Sequence, residues 1–130
     1  MSQSALHVLL VEDDPWAAAA FKKALAAVEA SAGFEVVLTP DAALARMDDA
    51  DIVFLSLDLP GCGALRLLKR LSPGEERPPV IALSSDRSDP RVAAAVDAGA
   101  AETLQRGFRP GQLAGILTTI ARYWRVLPSS

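Results

Sequence analysis

Five short apolar runs, each followed by a segment of helical periodicity, constrain this chain more than any other feature of its sequence. His7 to Val11 is apolar and ends in the acidic EDDP, as a strand buried on both faces does when it gives way to a helix. Asp14 suits the N-cap and Pro15 the first turn; Ala17, Phe21, Ala24, Leu25 and Val28 then recur along one helical stripe, and Gly33 ends the segment. Phe34 to Leu38 reads as a second strand, and Pro40 and Asp41 open a short helix through Leu44 and Met47. Asp51 to Leu57 reads as a third strand, DLPGCG as a loop, and Ala64 to Leu71 as a helix. Pro78 to Ser84 is predicted as a fourth strand. Asp89 and Pro90 start a helix carrying Val92 and Val96, and Gly99 closes it in a left-handed conformation. A weak fifth strand over Ala101 to Gln105 precedes Leu113, Ile116, Leu117 and Ile120, the spacing of a last amphipathic helix. Strict alternation of this kind implies a parallel sheet with helices on both faces, whose ligands bind at the carboxyl ends of the strands.

The length of 130 residues fits one such core, so a single domain is expected over 1–130, with its core at about 5–122 and a C-terminal extension over 123–130. A net charge of −3 with scattered Lys and Arg offers no positive field for a phosphate backbone, which argues against nucleic acid as a partner. No apolar run approaches the roughly 20 residues that cross a bilayer, and the start MSQSALHVLLVEDD lacks a basic region and cleavage site. No membrane association and a cytoplasmic location are therefore expected. One cysteine, Cys62, and one histidine, His7, exclude an internal disulfide, a zinc cluster and cysteine–histidine catalysis. Cys62 has no activating base nearby and reads as an inert thiol, and His7 as a half-exposed edge residue at a strand start.

Glu12 and Asp13 fall at the carboxyl end of the first strand, where two carboxylates can hold a hard divalent cation such as Mg²⁺. The plainer alternative is that Glu12, Asp13 and Asp14 serve only the positive end of the next helix. The wider pattern bears on the choice: LLVEDDP, DIVFLSLDLPGCG, PPVIALSS and DAGAAETLQRGF follow one another in this order. Over nearly the whole chain this resembles the receiver domain of bacterial response regulators. The resemblance implies a flavodoxin-like, CheY-like fold: a doubly wound five-stranded parallel sheet of order 2-1-3-4-5 with five helices. It also implies a Mg²⁺ site at Glu12 and Asp13, to which Asp58 would add a backbone carbonyl.

In that family the third strand ends in an aspartate placed four residues before a proline and glycine. Pro60 and Gly61 set that register here, and the acceptor position holds Ser56. The family's reaction is attack by an ionised aspartate on phosphorus, whereas a serine hydroxyl is neutral at pH 7 and needs a base. Ser84 matches the hydroxyl residue that senses the phosphoryl group. Arg106 stands where the family has lysine, keeping the charge on a wider, planar fork. Gly107 replaces a proline that is commonly cis, and Thr103 replaces the Tyr or Phe that changes rotamer on activation. A pocket altered at so many positions implies lost phosphotransfer, with Mg²⁺ a possible cofactor, weakly bound or absent, and no other. Asp58, two residues beyond Ser56, is the substitute acceptor to be weighed against a simple loop acid, because residues two apart share a face of a strand.

The ending ARYWRVLPSS resembles the tail of small stand-alone response regulators associated with phytochromes, some of which dimerise through the last helix and its extension. Tyr123, Trp124 and Val126 would then anchor a homodimer, the alternative being that the aromatics seal the core edge. Trp16 either covers the core rim or marks a partner face. The expected function is that of a stand-alone atypical receiver, not an enzyme. It would act by binding a sensor histidine kinase or another signalling protein, without aspartyl phosphorylation. Two alternatives stand beside it: a Mg²⁺-dependent receiver phosphorylated on Asp58, and a small flavin-binding protein. The second is opposed by the absence of a phosphate-cradling loop after the first strand.

Overall fold

The computed structural model describes residues 6–71 and 77–124, with side chains described as far as residue 119. Strands β1 (His7–Val11), β2 (Gly33–Val37), β3 (Ile52–Ser56), β4 (Val80–Ser84) and β5 (Glu102–Gln105) form one parallel sheet of order β2-β1-β3-β4-β5. Helices α1 (Pro15–Val28), α2 (Pro40–Arg46), α3 (Gly63–Arg70), α4 (Pro90–Asp97) and α5 (Pro110–Trp124) alternate with the strands, and a short 3₁₀ turn, Met47–Asp49, follows α2. This is the parallel sheet expected from the alternation, in the flavodoxin-like order that the family resemblance implies. Caps explain several helix starts. Asp14 accepts from the Trp16 amide at 2.9 Å, Thr39 from Ala42 at 3.1 Å and Asp89 from Arg91 at 2.8 Å, each ahead of a proline at the first helical position.

Because side chains alternate along a strand, the sheet divides its apolar residues between two cores. Val8, Leu10, Ile52, Phe54, Ile81 and Leu83 join Phe21 and Leu25 of α1 and Leu113 and Leu117 of α5 on one side. Leu9, Val11, Val53, Leu55, Val80 and Ala82 meet Ala43 of α2, Leu67 and Leu68 of α3 and Ala95 of α4 on the other. The three middle strands are therefore buried on both faces, which is why they read as continuous apolar runs. Phe21 centres the first core, with its ring centroid 4.8 Å from Phe54 and 6.1 Å from both Phe34 and Phe108.

Three local expectations change. Gly33 does not end the first helical segment; it opens β2, where its amide donates to the Leu6 carbonyl at 2.7 Å and it pairs with His7. Leu38 correspondingly lies beyond β2 and is 61% exposed. His7 is exposed as expected, but its strand lies inside the sheet between β2 and β1's other neighbour, β3, so it is not an edge residue. Gly99, with φ of 115°, takes the left-handed conformation expected of it.

Candidate functional site: a charge-filled pocket at the strand ends

The order β2-β1-β3 reverses the direction of winding at β1 and β3, and the carboxyl ends of these two strands define the topological switch point. Val11 pairs with Leu55, so the next residue on each strand, Glu12 and Ser56, sits at the floor of this crevice. Both are buried, with 2% and 0% of their surface exposed. Polar side chains held this deep need partners, and Arg106, immediately after β5, supplies them. Its Nη2 donates to Glu12 Oε1 and, at 2.9 Å, to Ser56 Oγ. The second Glu12 oxygen accepts from the Asp14 amide at 3.1 Å. Ser56 Oγ also accepts from the Asp58 amide at 3.1 Å, so two donors occupy the acceptor sites of the hydroxyl oxygen.

Asp58 does not lie in β3. The chain turns after Ser56, and the Asp58 carboxylate reaches across to the loop after β4 and to α4. Oδ2 accepts from the Ser85 hydroxyl at 2.8 Å and Oδ1 from Arg91 Nη2 at 2.8 Å, while Arg106 Nε lies 3.8 Å from Oδ2. Partial burial works against the charged carboxylate. The hydrogen bonds from Ser85 and Arg91 and the charges of Arg91 and Arg106 outweigh it and hold Asp58 below the usual aspartate range. Arg91 is shared: it forks onto Asp89 at 2.6 Å and 3.0 Å and also donates to the Leu57 carbonyl. Its hydrogen bonds to Asp89, and next to Asp58, raise its affinity for its proton.

The structure thus brings Glu12, Ser56, Asp58 and Arg106 together. Asp13 borders the same cleft, of about 330 Å³, but is exposed. Receiver domains typically bind Mg²⁺ at this acidic end of the sheet, and here, among the described residues, no group of three or more His, Cys, Asp or Glu is gathered as a metal site. A guanidinium is paired with Glu12, and both carboxylate oxygens of Asp58 have donors.

Ser84 is buried at the end of β4, and its carbonyl accepts from the Arg106 amide at 2.8 Å, which anchors the base of that arginine. Thr103 is half-buried on β5 opposite Ala82 and, with Ser84 and Arg106, lines a second cleft of about 280 Å³. Gly107 adopts φ of 81°, a conformation that proline cannot take.

Ser85 and Arg91 were not singled out from the sequence. The doublet Ser84–Ser85 after the fourth strand was a usable signal for the first; Arg91 carried none, because the partners that tie it to this site, Asp58 and Leu57, lie 33 and 34 residues away. Trp16 is 85% exposed and so does not cover the core rim. Cys62 is an exposed free thiol. Tyr123 and Trp124 fall in the last turn of α5, but their side chains, like Val126 entirely, lie outside the described residues. Among the described residues no helix is long and apolar enough to cross a membrane.

The profile of the response regulator receiver domain matches residues 8–118, and solved structures of the same kind superpose on nearly the whole chain. A putative response regulator from Chloroflexus aurantiacus J-10-fl is 22% identical with a TM-score of 0.79, the match covering 92% of this chain and 99% of that one. A CheY-like receiver domain from Methylobacillus flagellatus is 29% identical with a TM-score of 0.73, over 90% and 99% of the two chains. Another from Methanospirillum hungatei JF-1 is 20% identical with a TM-score of 0.76, over 94% and 98%. No curated protein sequence matches significantly. The chain belongs to the response regulator receiver domain family, the signalling modules of two-component systems, which interact with histidine kinases and other signalling proteins.

Proposed function

We propose that this receiver works by binding a partner protein and does not carry out aspartyl phosphotransfer. The observation that carries the reading is Ser56: it stands at the end of β3, fully buried, with its hydroxyl oxygen accepting from Arg106 and from the Asp58 amide. An oxygen engaged in this way has no lone pair directed at an incoming phosphorus. The nearby carboxylate that could take its proton, Glu12, is bound to a guanidinium. On this reading the protein is not an enzyme but a cytoplasmic signalling module with a histidine kinase or another regulator as partner, and nucleic acid and membrane play no direct part. Incubation with acetyl phosphate and MgCl₂, followed by intact-mass measurement, is expected to leave the mass unchanged. A labile gain of one phosphoryl group would contradict it.

A second reading rests on Asp58, which is ionised, borders the acidic cleft and keeps 38% of its side chain exposed. Attack on phosphorus would require it to leave Ser85 and Arg91. If a labile phosphoryl group is gained and Asp58→Asn abolishes the gain, this second reading replaces the first. A homodimer through Tyr123, Trp124 and Val126 belongs to the proposal on the strength of the sequence pattern alone. Sedimentation as a monomer at high micromolar concentration excludes it.

A further inference from the structure

We infer that Arg106 is the resident cation of this pocket and closes the acidic site to divalent metal ions. The inference deepens the reading above but fails separately from it, because metal binding and phosphoryl gain are measured independently.

Mg²⁺ needs a nearly octahedral set of oxygens at about 2.0–2.1 Å and gives up its water reluctantly, so a protein site must offer it free carboxylate oxygens. Here Glu12 Oε1 is paired with Arg106 and Oε2 accepts from the Asp14 amide at 3.1 Å. Asp58 accepts from Arg91 and from Ser85, each at 2.8 Å. Ser56 contributes a neutral hydroxyl whose oxygen already has two donors. That leaves the exposed Asp13 carboxylate and the Asp58 backbone carbonyl outside this network, a set with a single anionic ligand, which holds Mg²⁺ poorly.

Charge leads to the same conclusion. The guanidinium groups of Arg106 and Arg91 already neutralise Glu12 and Asp58, and a divalent ion entering beside them meets like charge at short range. Arg106 suits the role because its planar fork contacts Glu12 and Ser56 through one nitrogen while presenting another 3.8 Å from Asp58. A lysine ammonium, with a single nitrogen, cannot span those groups in the same way.

The test is amide NMR of the full chain titrated with MgCl₂ and with trace MnCl₂, on the wild type, Arg106→Gln and Arg106→Lys. The wild type is expected to show no saturable shift or local broadening at Asp13, Ser56 and Asp58 at millimolar metal, and the Arg106 Nε–H resonance is expected to stay in place. The Gln variant is expected to bind at least about tenfold more tightly than the wild type. Should it fail to fold, the charge-retaining Lys variant takes its place, with a gain in the same direction. Saturable binding by the wild type, with movement of the Arg106 resonance, overturns the inference even if no phosphoryl group is ever gained. Folded Arg106 variants that bind metal no better than the wild type overturn it as well.

Discussion

Phe54 and Ser56 lie two residues apart on the same strand, and both are wholly buried, yet their surroundings are of opposite kinds. Around Phe54 are Phe21, Ile52, Ile81 and other hydrocarbon groups, whose attraction has no direction and which tolerate small rearrangements. Around Ser56 are an amide, a guanidinium and, through that guanidinium, two carboxylates. Burial there is sustained only while each polar group keeps its particular partner. The middle of the sheet therefore holds the fold, whereas the rim holds a specific arrangement of charge. Breaking either should leave a different signature.

The largest effect is expected from Phe54→Ala. Removal of a fully buried ring from the cluster it forms with Phe21 should cost about 3–5 kcal/mol in denaturant unfolding. The loss should hardly depend on salt or pH, because no charge is involved. Arg106→Met comes next. It leaves Glu12, 2% exposed, without its cation, and stranding one member of a buried ion pair costs about 3 kcal/mol where, as here, the departing partner is 24% exposed. Unlike that of the core variant, this loss should be partly recovered by Arg106→Lys, which returns a cation to Glu12. If Arg106→Lys costs as much as Arg106→Met, the distinction between core and rim fails.

Much of this contrast was legible in the residues themselves. Continuous apolar runs identified the strands with two buried faces, and the Asp14–Pro15 and Asp89–Pro90 pairs marked helix starts through local hydrogen bonding. Glu12, Ser56, Asp58 and Arg106 could be placed at one end of the sheet because strand ends are local features and the winding brings them together. The contacts among them were not legible. Arg106 reaches Glu12 across 94 residues of sequence, and the side chain's direction depends on the path of the chain through Gly107, which no periodicity encodes. For the same reason Asp58 was expected to share the face of Ser56, although the chain has already turned there and its carboxylate goes to Ser85 and Arg91. Propensity also misplaced Gly33, because a sheet register with His7 recruited a residue that reads as a breaker.

Smaller substitutions sharpen the account of the rim. Ser56→Ala removes the acceptor of the Asp58 amide and one of the two acceptors of Arg106 Nη2, and should cost about 1–2 kcal/mol in thermal or denaturant unfolding. Glu12 still holds the arginine, so the loss should be smaller than for Arg106→Met. A loss equal to that of the arginine variant would mean that the hydroxyl, and not the carboxylate, positions Arg106.

The mildest perturbation is protonation of Asp58. Its carboxyl is held below the ordinary aspartate value of about 3.9 in the folded chain, so the folded state binds that proton less readily than the unfolded state does. The stabilisation from Ser85, Arg91 and Arg106 is accordingly complete above about pH 4 and fades as pH falls through the lower, folded-state value. With 38% of the side chain exposed, water screens these charges and the effect is modest. Asp58→Asn should lower the neutral-pH midpoint by a modest amount and leave the acid end unchanged, flattening this part of the acid limb in a series of unfolding curves between about pH 2 and 5. An acid limb unchanged by the substitution would show that the Asp58 contacts with Ser85 and Arg91 do not persist in solution, and that the rim is held by Glu12 and Arg106 alone.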